Sequence, residues 1–332
     1  MNIYLVPLNE SELIDLLRSR AQQSSHTIVG HPAEADLILL AGSFGTDPNV
    51  LLRHPLYLRY PDRCAVYTED DNYLPLVPGV YCSAQVDEHS RAGRTFSYSY
   101  ISRGGQFSNP FVGSTAIPSQ KSLLFSFQGG STSLLRKRLF NLRFGRPDIL
   151  IENTSTYYHW DLNQPGRKDR QQHYAGTLAS SHFVLCPRGA GTGSIRLFEV
   201  MSAGIAPVLI SDDYLLPSGI DWDSFLLRVP EKDIARLPKL IEPHLASSAE
   251  RGRLAQAAWL QHFAPEHEFN QIAAFCSRAL QHGSPSESVF LRKQRGIIAR
   301  AETQRKVRAF ARSIALKLVK LLHLKSPYQM NR

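Results

Sequence analysis

The sequence has few cysteines and no arrangement of them that would bind a metal. The four are scattered along 332 residues, with no Cys-x-x-Cys pair and no Cys/His cluster: Cys64, Cys82, Cys186 and Cys276. This excludes a small disulfide-stabilised fold and indicates free thiols in a reducing compartment. No stretch reaches the roughly 18 apolar residues that a membrane-spanning helix needs. The N-terminal segment lacks the basic and apolar regions of a signal peptide, so we expect a cytoplasmic protein with at most peripheral membrane contact.

Composition and charge point to a globular body with a basic tail. Hydrophobic residues make up 43% and charged residues 20% of the chain, which favours an ordinary packed core and room for two domains. The net charge is +9, but residues 290–332 hold twelve Lys/Arg and one acid, Glu302. The rest of the chain is therefore close to neutral, and the basicity belongs to the tail.

Short apolar runs alternate with helical patterns, which is typical of parallel α/β sheets. In the first half we predict a helix over residues 11–20, with Ser11 as its N-cap, and strands at residues 2–6, 35–41, 64–68 and 96–101. The Gly/Ser/Pro-rich residues 104–120 read as an interdomain connection. In the second half we predict helices at residues 134–144, 173–180 and 194–203, and strands at residues 123–127, 149–151, 182–186 and 205–210.

The segment Pro187-Arg-Gly-Ala-Gly-Thr-Gly193 carries most of the functional information. It places three glycines between a strand and a helix, where the backbone can approach a phosphate and the helix N–H groups attract an anion. Arg188, Ser194 and Arg196 add charge and a hydroxyl suited to a diphosphate, and Glu199 can reach ribose hydroxyls from the same helix. The alternative is a tight turn with solvated arginines.

Neither common nucleotide-binding motif matches this loop. No Gly-Lys-Ser/Thr follows the glycines, and the Gly-x-Gly-x-x-Gly spacing is absent. ATPase and dehydrogenase functions are therefore disfavoured.

The run SHFVLCPRGAGTGSIRLFEVMSAGIAPVLISDDYLLP, residues 181–217, resembles the donor-binding signature of the exostosin family of glycosyltransferases, and particularly its compact bacterial members. The resemblance extends to Phe127-Gln-Gly-Gly and Arg136 upstream and covers about residues 121–242. It implies a GT-B architecture, with two Rossmann-like domains facing a central cleft. The corresponding ranges are residues 1–115 for the acceptor side, 121–288 for the nucleotide-sugar side and 289–332 for a basic helical tail.

The resemblance also implies roles for individual residues. Family members are mostly inverting and use UDP-sugars. By position, Arg188, Ser194 and Arg196 would contact the diphosphate and Glu199 the ribose, with Gly189 and Gly193 in the binding loop. Arg136 would add a phosphate contact, and Asp212 or Asp213 would contact the sugar or the cleft wall. Arginines and helix amides would then stabilise the leaving group, so no metal or other cofactor is expected.

An inverting transfer needs a general base near the acceptor hydroxyl. The acidic cluster Glu69-Asp70-Asp71 follows a predicted strand, and we take Asp70 as the candidate. A solvated or capping acidic turn is the alternative, and His31 and His54 are weaker candidates. The pairs Asp70-Asp71 and Asp212-Asp213 could also be read as metal ligands, although divalent ions prefer several converging oxygens.

The tail places apolar residues at helical spacing among lysines and arginines over residues 301–325. We interpret it as a helix that binds an anionic membrane surface, without nucleic acid as a partner. A helix docked on the body, a partner helix and nucleic-acid binding are the alternatives.

The sequence thus predicts a peripheral glycosyltransferase of cell-surface polysaccharide biosynthesis, acting on a glycan or lipid-linked acceptor. Two rivals stay open. One is a non-catalytic carbohydrate-binding or scaffold protein of the same fold, and the other is a nucleic-acid-binding protein acting through the tail.

Overall fold

The computed structural model describes residues 1–9, 12–43, 51, 53–157 and 161–282, together with the isolated positions 296, 299 and 303. Within these residues the chain forms two separate sheets, one of six strands and one of five. No helix in this described part is long and apolar enough to cross a membrane. The predicted tail helix, residues 301–325, lies outside the described residues except for position 303.

The N-terminal sheet is entirely parallel and has the order β2-β1-β3-β4-β5-β6. Its central strands β3 and β4 are buried along their whole length, as expected for apolar runs that are covered on both faces. The strands are β1 (Asn2–Pro7), β2 (Thr27–Ile28), β3 (Leu37–Gly42), β4 (Cys64–Thr68), β5 (Gly79–Tyr81) and β6 (Thr95–Phe96).

The C-terminal sheet is also parallel, with the order β11-β10-β9-β7-β8. Its strands are β7 (Leu123–Gly129), β8 (Ile149–Asn153), β9 (Ser181–Pro187), β10 (Ala206–Ile210) and β11 (Leu227–Arg228). Two parallel α/β sheets confirm the predicted fold class of two Rossmann-like domains of GT-B type. The boundaries at residues 115 and 121 remain predictions.

Helices cover both sheets. In the described residues they are α1 (Leu13–Ala21), α2 (Pro55–Arg59), α3 (Glu88–Arg91), α4 (Leu134–Asn141), α5 (Arg167–Ala179), α6 (Ile195–Ser202), α7 (Leu237–Ile241), α8 (Ser248–His262) and α9 (Pro265–Gln281). The predicted end of α6 is confirmed, since Gly204 has φ +70°. The N-cap predicted at Ser11 lies outside the described residues.

Helix α9 falls within the predicted C-terminal range, yet it packs on the N-terminal sheet. The Phe275 ring stacks on Phe96 of β6 at 5.2 Å between centroids, and Arg20 of α1 pairs with Glu268 at 2.7 Å. Helix α9 therefore follows the second half in sequence but packs on the first half, and it connects the two.

The strand predicted over residues 96–101 is wrong beyond Phe96. A 3₁₀ turn, Ile101–Gly104, takes the place of its end. The cause is the buried Tyr67, whose hydroxyl donates to the carbonyl of Ser99 at 2.8 Å and accepts from the amide of Ile101 at 3.2 Å. Backbone groups that would extend the sheet are bonded to a side chain instead.

Candidate functional site

A cavity of about 650 Å³ opens where the carboxyl ends of β7, β8 and β9 meet. This is the edge at which parallel α/β sheets bind ligands. Asp71 and Tyr100 of the N-terminal half close its opposite side. Six of the predicted site residues line this cavity: Arg136, Gly189, Gly193, Ser194, Arg196 and Glu199.

Helix α6 starts at the cavity wall. Ser194 is its N-cap residue, 2% exposed, and makes no side-chain capping bond. Within the described residues, the Ser194 hydroxyl oxygen has no hydrogen-bond partner. A buried hydroxyl without a partner beside the free N–H groups of a helix start is suited to receive an anion.

Arg196 contacts two aromatic rings at the same helix start. Its guanidinium carbon is 4.7 Å from the ring centre of Phe127 and 5.7 Å from that of Tyr174, and one terminal nitrogen donates to the carbonyl of Gln128. Burial disfavours its charge, but Tyr174 and Glu199 raise the pKa of Arg196 above its ordinary value. The group therefore stays cationic, and its Nε has no hydrogen-bond partner in the described part of the chain.

Arg136 of α4 supplies a second guanidinium. It donates to the carbonyl oxygens of Pro187 at 3.0 Å and Arg188 at 3.1 Å, and it lies 5.5 Å from the Phe127 ring centre. Burial, and then the nearby charge of Arg196, lower the pKa of Arg136 to about 9. An anion bound between these two buried cations would offset both the cost of burying their charge and the repulsion between them.

Glu199 lies one turn beyond Arg196 on α6. Its carboxylate accepts a hydrogen bond from the Tyr174 hydroxyl at 2.7 Å, and its other oxygen is 3.9 Å from Nε of Arg103. Burial, and then the Glu199 charge, raise the pKa of Tyr174, so the hydroxyl keeps its proton and acts as the donor. The carboxylate is thus fixed at the cavity wall as an acceptor.

The three glycines of the loop have different surroundings. A Cβ at Gly189 would lie 3.4 Å from Thr132 Oγ1, on the cavity side. A Cβ at Gly191 would lie 2.2 Å from Ser83 Oγ, and one at Gly193 only 2.5 Å from the Cys82 carbonyl. The last two glycines therefore allow close contact between the halves, which the phosphate-loop interpretation did not anticipate.

Hydrogen bonds also join the two halves near the loop after β9. Thr192 Oγ1 donates to the carbonyl of Ser83 at 2.7 Å, and the amide of Val86 donates to the carbonyl of Asp213 at 3.0 Å. The loop after β9 is therefore part of the interface between the halves, and residues of both halves fix its position.

Three predicted side chains are not among the residues that line the cavity. Arg188 forms a two-point ion pair with Glu231 at 2.6 and 3.1 Å. Asp212 accepts the amide of Glu231 at 3.0 Å, and Asp213 is exposed. Arg188 contributes to the site through its backbone carbonyl, which Arg136 binds.

The acidic cluster after β4 divides between two environments. Asp70 accepts from the backbone and side-chain amides of Asn72 at 2.8 and 3.1 Å, as a turn-capping residue does. Asp71, which we had not selected from the sequence, lines the cavity. Burial, and then the Asp70 charge, raise the pKa of Asp71 above its ordinary value. Asp70 and Asp71 are adjacent in sequence, and the direction in which the chain leaves β4 decides which of the two side chains reaches the cavity.

A polar cluster that also lines the cavity was missed. Glu152 of β8 accepts from Gln128 Nε2 at 2.6 Å and lies 2.9 Å from His173 Nε2. Burial acts to raise the pKa of Glu152, but Gln128 and His173 hold it below its ordinary value. Oε1 of Gln128 is buried without a partner among the described residues. The sequence signal that could have identified Gln128 is its position at the carboxyl end of a strand, where parallel sheets bind ligands.

Two parallel α/β halves that share one polar cavity define a protein of the GT-B type. The exostosin GT47 domain matches residues 76–243, about half of the chain, and the chain belongs to this family. The matched range contains every cavity-lining residue named above except Asp71.

Curated relatives agree with this family. An Exostosin-1 homolog of Caenorhabditis elegans is 33% identical over 138 residues, covering 38% of this chain and 36% of the relative. Exostosin-1 of Drosophila melanogaster is 32% identical over 143 residues, covering 39% and 19%. A probable glucuronosyltransferase of Oryza sativa subsp. japonica is 37% identical over 84 residues, covering 25% and 20%. The matches thus span about a third or less of these relatives' lengths.

Proposed function

We propose that this chain is a glycosyltransferase that moves a sugar from a nucleoside-diphosphate donor to a hydroxyl of a glycan or lipid-linked acceptor. One observation carries the proposal. The buried atoms Ser194 Oγ, Arg196 Nε and Gln128 Oε1 lack partners within the described residues, and all three residues line the same 650 Å³ cavity. Native proteins rarely leave buried polar atoms unpaired, so these atoms point to a polar ligand.

The diphosphate would lie over the start of α6, between Arg136 and Arg196. Both guanidinium groups are held by backbone carbonyls and the Phe127 ring, so they are oriented before the donor arrives. Fixed positive charge next to a developing diphosphate lowers the barrier to its departure. Metal independence and a UDP-sugar donor remain predictions, and activity with and without EDTA tests the first.

The nucleoside would occupy the side of the cavity that carries Glu199. Its carboxylate would accept from ribose hydroxyls, as its bond from the Tyr174 hydroxyl shows that it acts as an acceptor. Beyond it, Glu152, His173 and Gln128 offer both donors and acceptors to a nucleobase.

We assign the general base to Asp71 in place of Asp70, because Asp71 lines the cavity and Asp70 caps a turn. In an inverting transfer, Asp71 would take the proton of the acceptor hydroxyl. The hydroxyl oxygen would then bond to the anomeric carbon as the diphosphate leaves from the opposite face with the bonding electron pair. A carboxyl whose pKa is raised is a stronger base once it is ionised.

The test uses purified protein and a panel of nucleoside diphosphates and their sugars. We expect thermal stabilisation by the correct nucleotide and release of nucleoside diphosphate from the matching donor, both lost in Arg196→Ala. Arg253→Ala is a surface control for loss of an arginine, since Arg253 is exposed and pairs, among the described residues, with Glu250 three positions earlier. Binding without release would favour the non-catalytic alternative, and no binding of any member would refute the donor site.

We further propose that the acceptor belongs to cell-surface polysaccharide synthesis on the inner face of the plasma membrane. The basic residues 301–325 support this proposal by composition alone. Deleting residues 290–332 should abolish binding to anionic vesicles. Steep salt-dependent binding to nucleic acid that the same deletion removes would favour the alternative partner.

A further inference from the structure

A second, smaller cavity of about 350 Å³ lies on the other side of Glu199. It shares Tyr100, Asn109 and Glu199 with the first cavity, so these three residues form a common wall. Among the described residues that line it, Arg103 is the single cationic side chain, and Glu199 and Glu268 line the same cavity. The mechanism described above uses none of these contacts.

Arg103 reaches across the two halves to hold α6. Its Nη1 donates to the carbonyl of Ile195, the first residue of α6, at 3.2 Å. Its Nε lies 3.9 Å from Oε1 of Glu199, one turn further along the same helix. One guanidinium therefore binds α6 through one hydrogen bond and one longer ion-pair contact, and together these limit how far the helix can rotate or slide.

The segment that carries Arg103 is itself fixed to the N-terminal sheet. The amide of Ser102 donates to the buried carboxyl of Glu69 at 2.9 Å, and the amide of Ile101 donates to the Tyr67 hydroxyl at 3.2 Å. Glu69 is two residues before Asp71. The strand end that presents Asp71 to the first cavity thus also anchors the turn that holds α6.

We propose that Arg103 is a positioning residue for the donor site, setting the placement of Glu199 and the start of α6 relative to Asp71. The catalytic role of Arg103 rests on the proposed function, whereas its contacts with α6 are independent of that function. Arginine suits this role because its planar group can direct donors to a carbonyl and a carboxylate at once. Lysine would keep the charge and lose the two-point geometry.

Three variants test the proposal. Arg103→Met removes the charge and the donors while filling similar space, and Arg103→Lys restores only the charge. Arg20→Met is the control for loss of a neighbouring ion pair. Arg20 pairs at similar burial with Glu268, whose carboxyl Arg103 also influences, but it has no described hydrogen bond or ion pair to α6. The measurements are KM and kcat for the donor and for the acceptor, the Kd of UDP, and hydrogen exchange of residues 195–202 in the free protein.

We expect Arg103→Met to raise the donor KM and the Kd of UDP by about tenfold, which corresponds to donor binding having to restore the order that one charged hydrogen bond supplies in the wild type. The acceptor KM should stay within about twofold, and Arg103→Lys should recover part of the loss. Exchange in residues 195–202 should be faster in Arg103→Met even without donor. Arg20→Met should lower Tm and leave the donor KM and that exchange unchanged.

The proposal is overturned if the wild type binds UDP and Arg103→Met binds it equally well. It is also overturned if Arg20→Met raises the donor KM as much as Arg103→Met does, since the effect would then be general destabilisation. Failure of the proposed function has a different signature. Wild type would bind no nucleotide, while faster exchange of residues 195–202 in Arg103→Met would still support the positioning role.

Discussion

Asp71 and Gly191 come from opposite halves of the molecule and lie in direct contact, because a Cβ at Gly191 would stand 2.9 Å from Asp71 Oδ1. The loop after β9 therefore borders the carboxylate that we propose as the general base. The two residues are far apart in the sequence, so only the packing of the two halves brings them together.

Gly191→Ala should disrupt this contact. Its Cβ would also meet Ser83 Oγ at 2.2 Å, so the loop or the end of β4 must shift, at a cost of about 1–3 kcal/mol typical of overpacking. We expect lower unfolding free energy and a loss of turnover larger than the loss of donor binding. Gly176→Ala in α5 is the control, since nothing lies within 4 Å of its Cβ position. That change should be neutral or stabilising, and equal damage from both substitutions would contradict the argument.

Asp71→Asn should reduce kcat by about 100-fold or more, the usual size of a general-base contribution. Asp70→Asn should have a smaller effect, because Asp70 caps the turn at Asn72. Activity requires ionised Asp71, so kcat/KM should rise with pH through a pKa above the ordinary aspartate value. The pH profile measures this. The assignment fails if Asp71→Asn keeps the acidic limb or if Asp70→Asn is the more damaging change.

Arg196→Lys should weaken donor binding by about tenfold or more, since a compact ammonium group cannot replace a planar guanidinium that contacts Phe127 and Tyr174 and also donates to the Gln128 carbonyl. Arg188→Lys should weaken it less, because the Arg188 side chain binds Glu231 outside the cavity wall. Calorimetric titration with UDP compares the two. A larger loss in Arg188→Lys would show that this side chain reaches the donor after all.

Glu268 should make stability depend on pH. Burial, despite Arg20 and Arg103, raises the pKa of Glu268 to about 7 from an ordinary 4.5. The folded state then holds a proton that the unfolded state has released, so this contribution to stability is complete below pH 4.5 and is lost as the pH rises through about 7. Glu268→Gln should flatten that fall in urea unfolding. An unchanged slope between pH 5 and pH 8 would contradict the raised pKa.

The parts of the site that are local in sequence were predictable. The apolar run before Pro187, the glycines after it and Gly204 after α6 define strand, turn and helix through short-range chemistry. Six predicted residues accordingly line one cavity. Their roles in binding remain predictions, but their common location follows from the loops and helices that leave parallel strands at one edge of the sheet.

Other features depended on distant contacts. Tyr67 ended a strand that the pattern at residues 96–101 had predicted to continue, because its buried hydroxyl captured backbone groups. Arg188 and Asp212 turned to Glu231, a partner about twenty or more residues away along the chain. Pattern reasoning has no access to such pairings.

By itself, the sequence determined two parallel α/β sheets and a loop of glycines at a helix start, because hydrophobic periodicity and turn chemistry act over a few residues. Only the tertiary structure decided that Asp71 faces the cavity while Asp70 caps a turn, that α9 returns to the first sheet, and that Arg103 holds α6. These relationships depend on how whole elements pack, and small differences in packing direction decide which of two adjacent side chains reaches a site.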